Sequence, residues 1–283
     1  MSPVKADAAP RPAPPGADGR APRRTGPRLG RSRARRQLLA VWLLRALLLV
    51  VVVGAWWYAT GPGGVSPLLL PKLGPVGDRL GALLGTGQLW SDLGLTVVEI
   101  LLAFLVSAAA GVLVGFWAGR TELRARIVEP LVAWGYMAPL VLFYPLFIAW
   151  FDIGMTSKVL YGALSGFFPI AFNALRGFRA VDPRHLRVAR AFGASAVQTD
   201  WLVKSRAALP MVMAGVRVGA ALDIIAVILA EMLASSRGLG YELAQASQTL
   251  QIPDVFALIL ILLVFVALMQ LAIQKAGTPR HQQ

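Results

Sequence analysis

From Leu38 to Tyr58 the chain runs 21 residues with Arg45 as its one charge. At about 1.5 Å per helical residue that run crosses the roughly 30 Å hydrocarbon core of a bilayer. Inside lipid the backbone has no water to bond, so such a run must satisfy its own amides and carbonyls as a helix. It ends in Trp56, Trp57 and Tyr58, residues suited to the membrane interface, and not in a small-residue cleavage site. The run is therefore read as an uncleaved first span.

Five more apolar stretches follow, at about Leu93–Gly119, Ile127–Trp150, Ser157–Gly177, Leu209–Ala234 and Val255–Ile273. With 57% hydrophobic residues and a mean hydropathy of +0.63, the chain is too apolar for a soluble domain of 283 residues. The fold class expected is an all-α integral membrane protein with six transmembrane helices. The second stretch is narrowed by Ser107, Ala108, Ala109, Ala110, Gly111 and Gly115, which lets another helix approach closely. Pro130, Pro139 and Pro145 interrupt the third, so it is expected to be kinked or broken at membrane depth.

Basic residues set the orientation. Ten Lys and Arg precede the first span, three follow the second, seven lie from Arg176 to Arg206 and two at the C-terminus, 22 in all. The alternate segments hold Lys72, Arg79, Lys158 and Arg237 alone. The positive-inside bias then puts both termini in the cytoplasm and residues 61–92 outside, the latter partly as an interfacial helix. The polar stretch Tyr241–Leu250 is too short to cross and is expected outside as well.

The net charge of +14 is thus a topology signal before it is a sign of nucleic acid, and no nucleic-acid partner is expected. Residues 1–36 are rich in Pro, Gly, Ala and Arg and are expected to be a disordered cytoplasmic tail, and residues 275–283 are expected to form a cytoplasmic C-terminal tail. No cysteine is present, and His185 and His281 are the two imidazoles. That excludes a disulfide framework and disfavours zinc or histidine catalysis. No phosphate-binding loop, HExxH pair or nucleophile elbow appears, so no catalytic, metal or cofactor site is assigned, and ATP dependence must come from a partner.

The chain is organised around a basic, amphipathic island, Val181–Pro210. Asp182 can cap a helix with Pro183 in its first turn; Gly193 supplies a stop, and Ser195 with Gln198 a fresh cap. At about 100° per residue, Arg184, Arg187 and Arg190 share one arc, and Leu186, Val188, Ala189 and Phe192 the opposite one.

The run Ala189–Ser195 (ARAFGAS), with Ala208, Leu209 and Pro210 downstream, resembles the cytoplasmic coupling motif of ABC importer permeases. The segments Thr96–Gly119, Pro145–Lys158, Phe168–Gly177 and Glu231–Gly240 are similar to the branch that handles nitrate, sulfonates, taurine and pyrimidine precursors. Arg187 stands where that pattern usually has Glu, and Ser205 and Arg206 where a Leu-Pro pair is common. The resemblance implies a type I importer fold, with a five-helix permease core over residues 93–274 and a coupling loop over 181–208. It implies a plasma (inner) membrane location and a homodimer around a central path. It also implies ATPase subunits that carry ATP and Mg, and a periplasmic or lipid-anchored substrate-binding protein. ATPase coupling would fall to Arg184, Leu186, Arg187, Ala189, Arg190, Phe192, Gly193 and Ala194.

Ionisable groups within spans cost roughly 2.5–3.5 kcal/mol each on insertion scales and need a partner or a role. Asp223 near the midplane and Glu231 at the outer end of the fifth span are candidates to line the translocation path or its gate. Glu99, Tyr144 and Asn173 are weaker candidates; Glu99 and Asn173 read equally as hydrogen-bonders between helices, and Tyr144 as packing. Arg217 can snorkel or pair. An ion-coupled carrier using Asp223 and Glu231 is the rival reading. An intramembrane acid dyad is weaker, because eight residues set them about 80° apart and roughly 12 Å along the helix.

Overall fold

The computed structural model describes residues 31–276; the expectations for residues 1–30 and for residues 277–283, Arg280 and His281 included, lie outside the described residues, while Lys275 and Ala276 end the last helix. The chain divides into two units after Ala55. Helix α1 (Arg31–Thr60), which the first unit holds as far as Ala55, starts at Arg31, so the last six residues of the expected tail are helical backbone. Side chains from Leu39 to Ala55 are all exposed, as befits a helix apolar all round whose cover is lipid.

The second unit is helical wherever it is regular. Helix α2 (Leu73–Leu84) lies in the 61–92 segment, where a helix is expected. Its Arg79 pairs through both Nε and Nη2 with Asp254, tying it to the start of the last helix. Then come α3 (Gly87–Gly119), α4 (Glu122–Met137), a 3-10 turn (Leu140–Phe143), α5 (Tyr144–Phe151) and α6 (Met155–Arg179). Next are α7 (Pro183–Ala191), the short α8 (Ala196–Gln198), a π-helical stretch (Thr199–Lys204), α9 (Ser205–Leu233), α10 (Leu239–Gln248) and α11 (Ile252–Ala276). Among the described residues five helices are long and apolar enough to span, and six if the bent pair α4 and Leu140–Phe151 counts as one. That pair turns by 87° at Ala138 and Pro139, one of the three prolines expected to interrupt the span; Pro130 lies inside α4 without breaking it, and Pro145 stands in the first turn of α5.

Helices α3, α6 and α9 form the centre. The most apolar window of α6 has a mean hydropathy of only 1.2 and is 67% buried; that of α11 reaches 3.0 and is 22% buried. The difference follows from solvent, since helix faces that meet protein need small residues and hydrogen bonds while faces that meet lipid need apolar bulk. Ala103, Ser107, Gly111 and Gly115 of α3 are buried against this centre. A Cβ on Gly115 would stand 2.8 Å from the Ala171 carbonyl of α6, so backbone touches backbone there. The narrow region read from the sequence is this contact.

Candidate functional site

The basic end of the bundle carries the island. The Asp182 carboxylate accepts from the Arg184 amide at 2.7 Å, and Pro183 occupies the first turn of α7. At the other end Gly193 N–H donates to the Arg190 carbonyl (2.9 Å) and Ala194 N–H to that of Ala189 (3.0 Å), with Gly193 at φ +77°. This paired closure needs a left-handed residue, the role glycine fills at least cost. Ser195 and Gln198 then cap each other reciprocally. The helix, break and second start stand as the sequence predicts, and the second start runs through the π-helical turn into α9 without a further break.

The arcs of α7 differ from expectation. Leu186, Ala189 and Ala194 are half-buried, and Leu186 and Ala194 turn inward over a cavity of about 310 Å³ that Arg190, Asp200 and Lys204 also line. Val188 is exposed and Phe192 is 88% exposed, beside exposed Arg184 and Arg187. The single apolar arc is therefore split, because the π-helical stretch covers one half of it. Sequence reading missed what fixes that stretch. Asp200 accepts from Arg120 at the end of α3 (3.0 Å) and pairs with Lys204 (2.8 Å), while Trp201 packs on Phe116 with ring centroids 5.0 Å apart. Next to it, Glu129 bridges Arg176 and Arg179, each at 3.0 Å.

Four of the five candidate path residues lie inside the subunit instead of on a wall. Asp223, Glu99 and Glu231 have no exposed surface, and Tyr144 is 1% exposed. Asp223 accepts from Ser107 Oγ (2.7 Å) and its carboxylate rests on Gly166, where a side chain would collide. Its Oδ1 has no hydrogen-bond partner among the described residues. Glu231 accepts from Thr96 Oγ1 (2.7 Å) and from the Gly240 amide (2.8 Å). With Asp92, which accepts from the Gly238 amide (3.2 Å), it holds the start of α10 in place. Tyr144 donates to the Ala234 carbonyl at 3.4 Å. Asn173 is half-buried and donates to the Pro169 carbonyl of its own helix (2.8 Å), so it does not bond between helices. Arg217 is half-buried and its Nε lacks a hydrogen-bond partner among the described residues.

Lys158, which the charge count places outside, is 3% exposed and sits against Glu99; its Nζ also donates to Ser235 (3.1 Å). Further out, burial pushes the Glu242 carboxyl of α10 above the ordinary carboxylate range, and the Asp92 carboxylate adds to that. Among the described residues no group of acids and imidazoles could hold a metal ion.

Up to six spans among the described residues, with an exposed, capped helix held out between two of them, define a multi-pass membrane protein. The model of the family described as binding-protein-dependent transport system inner membrane component matches residues 109–276, and the chain belongs to that family. It is 32% identical over 241 residues to the taurine transport system permease protein TauC of Escherichia coli, covering 82% of this chain and 88% of that one. It is also 32% identical over 220 residues to the putative aliphatic sulfonates transport permease protein SsuC of Bacillus subtilis, covering 78% and 80%. In fold it is similar to a subunit of a bacterial ABC transporter involved in the import of the acidic polysaccharide alginate, with a TM-score of 0.60 at 12% identity over 89% of this chain and all of that one. The chain is thus an ABC importer permease, not an enzyme, and works with ATPase and substrate-binding partners. An ion-coupled carrier is not favoured.

Proposed function

We propose that this permease imports a small organic sulfonate of the taurine type, as a homodimer with both termini and α7 in the cytoplasm. ATP and Mg are held by the ATPase subunits. Phe192, at 88% exposure on a helix joined to a span at either end, is the observation that carries the coupling assignment. An aromatic left in water is costly unless a partner covers it, and a groove in the ATPase would do so. Arg120, Asp200 and Lys204 tie the far side of the loop to α3, so a push on α7 is transmitted to the spans as a rigid body. The sulfonate class is supported by the two relatives named above. The buried acids are pins between helices in this reading, not substrate ligands.

The test is uptake of radiolabelled taurine or a short alkylsulfonate into proteoliposomes holding the permease, its ATPase and its binding protein. Uptake should require ATP and all three components. Uptake driven by an ion gradient without the ATPase would overturn the assignment, and identifying the ligand co-purified with the binding protein would correct the substrate.

A further inference from the structure

The broken span poses a solvation problem. Pro139 has no N–H, so the Gly135 carbonyl finds no donor four residues on, and the chain turns by 87° before helix resumes. Irregular backbone at membrane depth is tolerated only where protein buries it or where it lines water. This chain alone does not bury the break, since Met137 is 82% exposed and Leu142 is 71% exposed, so a second copy or water must cover it. Beside it lies a cavity of about 250 Å³ between the break, α6 and α9, lined by Tyr136, Tyr161 and Ser165 together with apolar Leu140, Ile225 and Leu229.

No ionised side chain lines this cleft. The acids of α9 are turned from it: Asp223 bonds Ser107 of α3, and Glu231 bonds Thr96 and Gly240. We propose that the cleft is a water-filled section of the translocation path and the place where the solute meets this chain at membrane depth. The proposal rests on the permease reading above. The lining suits a solute with a short apolar body and an acceptor-rich head, the body against Leu140, Ile225 and Leu229 and the head on the tyrosine hydroxyls, Ser165 already donating to the Tyr161 carbonyl at 3.0 Å. A wall with donors but no fixed countercharge lets an anion enter and leave, where an arginine or lysine would detain it.

The natural chain has no cysteine, so single cysteines can report water directly. Tyr136→Cys and Ile225→Cys would be made in the full importer in proteoliposomes, with Leu105→Cys and Leu263→Cys as comparisons. Residues 105 and 263 are each 61% exposed, against 42% for Tyr136 and 58% for Ile225, so exposure alone favours the comparison sites. The probe is methanethiosulfonate ethylsulfonate, a small water-soluble anion. A thiol reacts as its thiolate, which forms in water and not in hydrocarbon, so the two cleft cysteines should react faster by about tenfold or more. Their modification should also stop ATP-driven uptake. Labelling at either cleft position no faster than at residues 105 and 263 overturns the inference. Failure of the unmodified wild-type complex to take up solute would instead overturn the permease reading, which keeps the two failures apart.

Discussion

Lys158 Nζ lies 2.5 Å from Glu99 Oε1 in the interior of the bundle, linking α6 to α3 with almost no solvent contact. Lys158 is the cation that compensates the burial of this carboxylate. Removing one member of a buried pair strands the other at a cost of about 3–5 kcal/mol, whereas removing both can be nearly neutral. Lys158→Met should accordingly lower the unfolding temperature of the detergent-solubilised subunit sharply, and Lys158→Met with Glu99→Leu should recover most of the loss. Equal instability of the single and double variants would show that the pair is not what matters at this site.

Gly166 and Asp223 meet so closely that a Cβ on residue 166 would occupy the carboxylate's place. Gly166→Ala should overpack the α6–α9 contact at about 1–3 kcal/mol. Combining it with Asp223→Ala frees that space, so the double variant should melt above Gly166→Ala alone. A melting temperature for Gly166→Ala equal to wild type would mean the helices separate there at no cost.

What was legible in the chain was what lies within one turn or one span. Asp182, Pro183, Gly193, Ser195 and Gln198 act on backbone groups no more than a few residues away, so their spacing alone foretold the caps and the break. That the span would break was legible from its prolines, but which of them breaks it was not, since Pro130 lacks an N–H as Pro139 does and lies inside α4. Pairings across the bundle carried no such signal. Thr96 meets Glu231 across 135 positions and Arg120 meets Asp200 across 80, and periodicity is blind to both. Lys158 misled for a related reason, since a lysine near a span end looks like a flank until the carboxylate facing it is known. The split arc of α7 depended on the π-helical stretch folding back beneath it, which helical spacing within α7 does not contain.

Correcting Lys158 sharpens the charge asymmetry, because its charge is matched by Glu99 and leaves the proposed outer segments with Lys72, Arg79 and Arg237. Arg79 is itself paired with Asp254. A topology reporter fused after Gln251, between α10 and α11, should therefore be active on the outer side. Activity confined to the cytoplasm would reverse the orientation proposed for every span.

The last prediction concerns the closure of α7, where two kinds of substitution separate backbone strain from steric fit. A Cβ on Gly193 would meet nothing within 4 Å, so any penalty there comes from φ +77° alone. Valine, branched at Cβ, is poorly tolerated at such φ, while asparagine visits the left-handed region several-fold more readily than most residues. Gly193→Val should thus cost about 1–3 kcal/mol in local geometry, and Gly193→Asn much less. ATPase co-purification and ATP-driven uptake should fall for Gly193→Val and largely survive for Gly193→Asn, with membrane insertion intact for both. At the tip, Phe192→Ala removes an exposed ring with no cover in the isolated chain, whereas Arg190→Ala removes a charge over the inner cavity that salt screens. Phe192→Ala should weaken ATPase association more than Arg190→Ala. Full association and full uptake by both Gly193→Val and Phe192→Ala would mean that α7 does not couple the permease to its ATPase.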